Sequence, residues 1–257
     1  MSSTPSCAGR LGRLLSALLI AGGSLASTEA AVTISPNPHA ATEGDAENIV
    51  PFGNIEPARS FRYYQQVFGA RDFSFPNGPE LITQIAFRPD TFSGGSFSTT
   101  LPRVEIDLST TPRTVDGLES AFAGNIGADA VRVFAGALPL SSNFRGPPGG
   151  PKEFDIVIPL QVPFLYNPAL GNLLLDVKNF SFVETTFFDA ANSTDSVSRV
   201  YGPDSSAGLT DGLGLVTRFT SVLVPEPSIS LLLSAAVGLV GFCRRRRHPT
   251  ETALKRW

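Results

Sequence analysis

From residue 154 to residue 164 the chain alternates. Phe154, Ile156, Ile158, Leu160, Val162 and Phe164 occupy one set of positions, and Asp155, Val157, Pro159, Gln161 and Pro163 the other. A period of two is the repeat of a strand with one buried face, whereas a helix needs 3.6. The same alternation sets Val104, Ile106 and Leu108 against Glu105, Asp107 and Ser109, and Leu173, Leu175 and Val177 against Asp176 and Lys178. Pro159 and Pro163 share one hydrogen-bonding side and lack the donor, so their strand is expected at a sheet edge or broken. Further strands are predicted over 60–67, 81–88, 130–137, 180–187, 196–201 and 215–222, about nine in all. Leu118, Phe122 and Ile126 have helical spacing and predict one short helix, or a turn crossing the sheet, within 116–127.

Turn signals separate these runs: Pro76-Asn77-Gly78-Pro79, Asp116-Gly117, the stretch Gly146–Pro151, Asn167-Pro168, Gly202-Pro203-Asp204 and Asp211-Gly212. Strands punctuated this often predict an all-β chain, an antiparallel β-sandwich. A jelly-roll is the first expectation and an immunoglobulin-like sandwich the second.

Composition then removes several chemistries. Residues 31–224 contain no Cys, Met or Trp, one His (His39) and two Lys (Lys152, Lys178). Disulfides, thiolate metal sites and Cys nucleophiles are excluded there, and one His cannot build a histidine zinc site. His39 sits too near the start of this region to serve a Ser-His-Asp triad. The region carries twelve Lys/Arg against twenty Asp/Glu, a net of −8, which would repel a phosphate backbone, so no nucleic-acid partner is expected. Gly146–Lys152 is no phosphate loop, because its prolines remove the amide donors that would cradle phosphate.

Positive charge concentrates at the two ends. Arg10 and Arg13 precede a 13-residue apolar run, Leu14–Ala26, and small residues follow. This is the order of a cleavable signal peptide, read as residues 1–30, which engages the secretion machinery and signal peptidase. Residues 31–58, rich in Pro, Glu and Asn, read as a flexible lead-in, and 59–223 as the sandwich domain. At the far end Val224-Pro225-Glu226-Pro227 precedes an apolar run from Ile229 to Cys243 and the cluster Arg244, Arg245, Arg246 and Arg247. The run predicts one short transmembrane helix, and the arginines keep its far end on the cytoplasmic side. The prolines around Glu226 can join neither a helix nor a ladder, so the element stays extended.

That order of Pro-Glu-Pro, apolar run and arginine cluster, over Pro225–Arg247, resembles the PEP-CTERM sorting signal of bacteria. The resemblance implies recognition by an exosortase and cleavage near Pro225, Glu226 and Pro227. It also implies an inner-membrane anchor facing the periplasm before processing, then a place at the cell surface or in an extracellular polysaccharide or biofilm matrix. Residues 82–90, 154–160 and 163–180 are similar to a module of uncharacterised exported bacterial proteins with this tail, which implies a sandwich fold and no assigned chemistry.

Three sets of residues could carry a further function. Glu105 and Asp107 match the first two carboxylates of the Glu-x-Asp-x-Glu strand of laminarinase-like glycosidases, where two carboxylates flank the sugar bond. Ser109 stands where the third is needed, so the proton donor is missing and no enzyme is expected. Tyr64, Tyr166 and Tyr201 are the amphipathic rings on which a sugar could stack, which would make the domain a carbohydrate-binding module. Tyr63 and Tyr64 face opposite sides of one strand, so only one of them can be core. Calcium is the metal that acidic loops of an exported sandwich would suit, with Asp204 and Asp211 as its candidates; otherwise no cofactor is expected. The leading expectation is a non-catalytic surface or matrix protein.

Overall fold

The alternating runs form strands, and the turn signals end them. A computed structural model describes residues 30–53, 61–192 and 196–224. The expected signal peptide, the Pro225-Glu226-Pro227 element, the transmembrane helix and the arginine cluster lie outside the described residues. No described helix is long and apolar enough to cross a membrane.

Thirteen strands occur among the described residues: β1 (Ala31–Ser35), β2 (Ala46–Asn48), β3 (Tyr63–Phe68), β4 (Glu80–Phe87), β5 (Phe97–Thr111), β6 (Val131–Ser142), β7 (Ile156–Tyr166), β8 (Asn172–Asn179), β9 (Phe188–Ala191), β10 (Val197–Gly202), β11 (Leu209–Asp211), β12 (Gly214–Leu215) and β13 (Thr217–Leu223). They pair antiparallel in three sheets. One has the order β1-β13-β4-β7, the second β11-β10-β3-β8-β5-β6, and the small third β12-β9-β2. The first two pack face to face. Ile82, Ile85, Ile158, Phe164 and Phe219 from one meet Tyr64, Phe68, Ile106, Leu175 and Val177 from the other in a single core. The Phe68 and Phe219 rings meet edge to face across it, 4.9 Å between centroids. Phenylalanine fills a core that has no thiol or thioether to close gaps, and tilted ring pairs link its parts.

β7 lies at an edge of its sheet, where its prolines require it to be. Its register against β4 slips between Ile82↔Phe164 and Gln84↔Pro159, so the segment bounded by Pro159 and Pro163 leaves the ladder. The facing sheets do not close into a barrel. Gln161 of β7 instead receives the Ala135 N–H (3.1 Å) on Oε1 and donates from Nε2 to the Ala135 carbonyl (3.2 Å), so one side chain serves the edge of β6.

Two expectations are corrected. Residues 31–53 are no flexible lead-in: β1 pairs with β13 from Ala31↔Ser221 to Ser35↔Thr217, β2 pairs with β9, and the Phe52 ring is fully buried. β13 needs a neighbour on each side, and the polar residues that suggested disorder are satisfied locally. Ser35 Oγ donates to Asp72 (2.6 Å), and the Asn48 carboxamide accepts the Val50 N–H (3.2 Å). The domain therefore begins at least as early as Ala31. Residues 180–187 form no strand; β9 begins at Phe188. There the Asn179 side chain accepts the Ser181 N–H (2.9 Å) and donates to the Pro51 carbonyl (2.9 Å), replacing ladder bonds. Residues 116–127 meet the expectation of a short helix or a crossing turn: they hold one turn of 3-10 helix, Phe122–Asn125, in a segment that crosses the six-stranded sheet. Asp116 starts it with a positive φ of 65°, which an Asp tolerates.

Gln66 joins the six-stranded sheet to the small one. Fully buried, it donates to the Leu215 carbonyl (2.9 Å) and accepts the Leu215 N–H (2.8 Å) and the Tyr64 hydroxyl (2.6 Å). Gln66→Leu keeps the volume and orphans three buried groups. The expected loss is about 3–5 kcal/mol in urea unfolding, or roughly 10 °C in Tm. An unchanged midpoint would mean that the amide is dispensable.

Candidate functional site

The outward face of the six-stranded sheet divides into two halves. Over one, the crossing segment lays Leu118 and Phe122 on Val67, Leu174 and Val200 as a second small core. The other half carries charge, half-buried at Glu105, Asp107 and Lys178 and buried at Asp176. Asp107 of β5 lies directly opposite Asp176 of β8, and Glu105 opposite Lys178. Period-two alternation puts these groups on the face away from the core, because Ile106 and Val177 between them point inward.

Each carboxylate there has a cation. Arg132 reaches Asp107 through Nε (2.5 Å) and Glu105 through Nη1 (3.0 Å). Lys178 Nζ lies 3.2 Å from Asp107 and 4.0 Å from Asp176. Arg103 stands 3.7 Å from Glu105 and over the Phe180 ring, 4.5 Å from its centroid. Tyr63 packs edge to face on Phe180 at 6.2 Å, so half-buried rings border the charged rows. The Asp107 hydrogen bond holds Arg132 above its ordinary value. Burial raises the Asp176 carboxyl, against the pull of Lys178 and a bond from Gln65 (3.2 Å). Its Oδ1 is buried without a partner.

Asp176 was missed as a site residue. Its signal was present: a lone Asp inside the run Leu173-Leu174-Leu175-Asp176-Val177. Only strand pairing shows that it faces Asp107. Ser109 is buried and its hydroxyl accepts the Gly127 N–H (3.1 Å), so the third position of the glycosidase-like strand is spent on fixing the crossing segment.

The candidate aromatics do not form a platform. Tyr64 and Tyr166 are fully buried, which corrects their expected ligand-facing role. Both phenols have pKa values raised by burial, and Tyr166 donates to the Gly171 carbonyl (2.9 Å). Of the consecutive pair, Tyr64 is core and Tyr63 faces outward, the reverse of the expected choice. Tyr201 is half-buried between the Phe61 ring (5.0 Å) and the Arg199 guanidinium (4.4 Å).

The candidate calcium residues are also engaged elsewhere. Arg199 forks onto both Asp211 oxygens (2.7 and 2.9 Å) beside a polar cleft of about 230 Å³. The exposed Asp204 accepts the Ser206 N–H (2.8 Å) and hydroxyl (2.5 Å), and those bonds lower its pKa.

A different carboxylate trio converges: Glu43, Asp90 and Asp189, with oxygens within 4.8 Å of one another. A side chain supplies the cation. Arg88, 2% exposed, donates from Nε to Asp189 (2.6 Å) and from Nη2 to the carbonyls of His39 (3.0 Å) and Thr42 (2.6 Å). Asp189 also accepts the Gly44 N–H (2.8 Å), Glu43 the Thr91 N–H (2.7 Å), and Asp90 the N–H groups of Phe92 and Ser93 (2.9 and 2.5 Å). Asp189 and the two carbonyls meet on one guanidinium, while Glu43 and Asp90 bind the backbone of the loop after β4.

Fold and surface together define an all-β protein of two packed antiparallel sheets. What is particular to this chain lies in its tail: residues 223–247 match the model of the PEP-CTERM protein-sorting motif. The chain thus carries an exosortase sorting signal, which directs export and membrane-anchored processing. The match begins at Leu223, the last residue of β13. No curated protein and no solved structure matches the chain.

Removal of the cation by Arg88→Met should lower stability by about 3–5 kcal/mol, because Asp189 and the His39 and Thr42 carbonyls would lose their buried partner. Burial, opposed by Arg88 and assisted by Glu43, lifts the Asp189 pKa from 3.8 to about 6. Between those values the fold holds a proton that the unfolded chain releases. This contribution is therefore full below about pH 3.8 and lost as the pH rises through about 6. Relative to Asp189→Asn, the natural chain should lose roughly 2–3 kcal/mol between pH 4 and 7. Parallel unfolding curves for the two over that range would contradict the assignment.

Proposed function

We propose that this chain is a non-catalytic exported protein, held at the inner membrane by its tail, cleaved near Pro225–Pro227 and delivered to the cell surface or extracellular matrix. The observation that carries the reading is the sorting motif set directly after the last strand. The ion pairing of Glu105 and Asp107 supports the non-catalytic part: Arg132 bridges both carboxylates and occupies oxygens that a substrate would have to reach. The reading requires no cofactor.

The sandwich is best read as a jelly-roll. Lettering β1, β3, β4, β5, β6, β7, β8 and β13 as B to I turns the observed orders into B-I-D-G facing C-H-E-F, with β10 and β11 added beside C. That pairing of first with last strand is the wrapping of two Greek keys.

A second reading, a module that binds matrix polysaccharide, is favoured by the charged face. Its alternating carboxylates and cations offer acceptors and donors in rows, and Tyr63 and Phe180 offer apolar edges for sugar rings.

Deletion of Pro225–Pro227 in a host with an exosortase should leave a longer product in the membrane fraction. Unchanged mass and location would end the sorting reading. On a panel of matrix polysaccharides the processed protein should bind, and Tyr63→Ala should weaken that binding about fivefold. No binding to any polysaccharide would leave the structural role and remove the second reading.

A further inference from the structure

We propose that one end of the four-stranded sheet is built to rest on a lipid surface. The inference rests on the membrane-anchored reading of the tail. β1 and β13 are antiparallel neighbours, with Ala31 opposite Ser221, so the start of the first strand and the finish of the last leave the same sheet end. Glu80, the first residue of β4, and Tyr166, the last of β7, lie in register with Leu223 at that end. In sequence, the apolar run Leu14–Ala26 stops five residues before Ala31, and the run Ile229–Cys243 starts five residues after Val224. Five residues reach at most about 18 Å. Both apolar runs of the unprocessed chain are thus tied by short leashes to one end of one sheet.

The surface at that end is apolar. In the row Ser221–Ile82–Phe164 every side chain is buried. The next row, Val222–Leu81–Leu165, therefore faces outward, away from the core. Leu165 is 51% exposed, Leu170 in the β7–β8 turn 75%, Val32 59% and Val224 44%. Leu165 and Leu170 border a mostly apolar cleft of about 320 Å³ with Pro79, Val131 and Phe164, which Thr110, Asn167 and the exposed Asp129 also line. Glu80, the acidic group on the edge row, is turned inward and accepts the Ser221 hydroxyl (2.5 Å). The other end of the same strands carries charge of both signs: Glu43, Asp45, Asp90, Glu153 and Asp155 lie there with Arg88, Lys152 and Arg218. A sandwich apolar at its tethered end and charged at its free end is oriented by a bilayer. Burial of apolar surface attracts the first end, and the cost of desolvating charge keeps the second in water.

The probe is the full chain with Cys7→Ser and Cys243→Ser, carrying a fluorophore on Leu165→Cys, Leu170→Cys or, at the opposite end, Thr42→Cys. Each is reconstituted into phosphatidylethanolamine–phosphatidylglycerol vesicles containing a headgroup spin-labelled lipid. Quenching at positions 165 and 170 should exceed that at 42 about threefold, and should persist at about 1 M salt, because the contact is apolar. Hydrogen exchange on the unlabelled chain should show vesicle-dependent protection around residues 30–33 and 165–170, a readout that needs no substitution. Flotation with the vesicles but equal quenching at the three positions would overturn the orientation and leave the anchored tail standing. Failure to float would overturn the anchored tail, and this inference with it.

Discussion

The buried guanidinium of Arg88 is the interaction on which the arrangement of chain segments depends. It sits just past the end of β4 and binds Asp189 of β9 and two carbonyls of the segment after β1. Those segments are more than 40 residues apart from it in sequence. A hydrophobic contact would tolerate sliding among them, whereas a planar group with directed donors does not. Phe154 adds a ring beneath both Arg88 (4.8 Å) and Arg218 (5.5 Å), which fixes the approach to β7 as well. A buried charge pair adds little net stability, but its loss on one side is expensive, so it acts as a registry device.

The rest of the domain follows from how few chemistries this composition offers. Without thiols or tryptophan, the core is made of phenylalanine and branched aliphatics, and the polar work falls to amides and hydroxyls. Gln66, Gln161 and Asn179 each imitate a missing strand neighbour by bonding an N–H or a carbonyl from another segment. Such amides let sheets end and join where a continuous ladder cannot run.

Alternation made β4, β5, β7 and β8 legible, because one-sided burial leaves its period in the residues themselves. It failed where side chains replaced the ladder. Phe180–Phe187 has strand composition, but Asn179 diverts the backbone. The segment 31–53 has loop composition, yet β1 is required by β13. The aromatic candidates failed for a related reason. Tyr64 and Tyr166 were chosen for chemistry that suits a surface, while their side of the sheet depends on register, which a single strand does not reveal. Asp176 was visible as a charge in an apolar run, but its partner, Asp107, lies 69 positions away and meets it only through the β5–β8 pairing.

By itself the sequence determined the class of fold and the address. The period of the apolar residues reports local burial, and the Pro-Glu-Pro element, apolar run and arginines act as a linear signal that needs no fold to be read. The tertiary structure alone decided which residues meet. It turned three expected ligand-facing tyrosines into two core rings and one wedged between Phe61 and Arg199, and it paired Asp189 of the converging carboxylates with Arg88. It also brought the first and last strands together at one apolar sheet end. Each of these depends on strand register and sheet order, which long-range hydrogen bonding sets and no local pattern encodes.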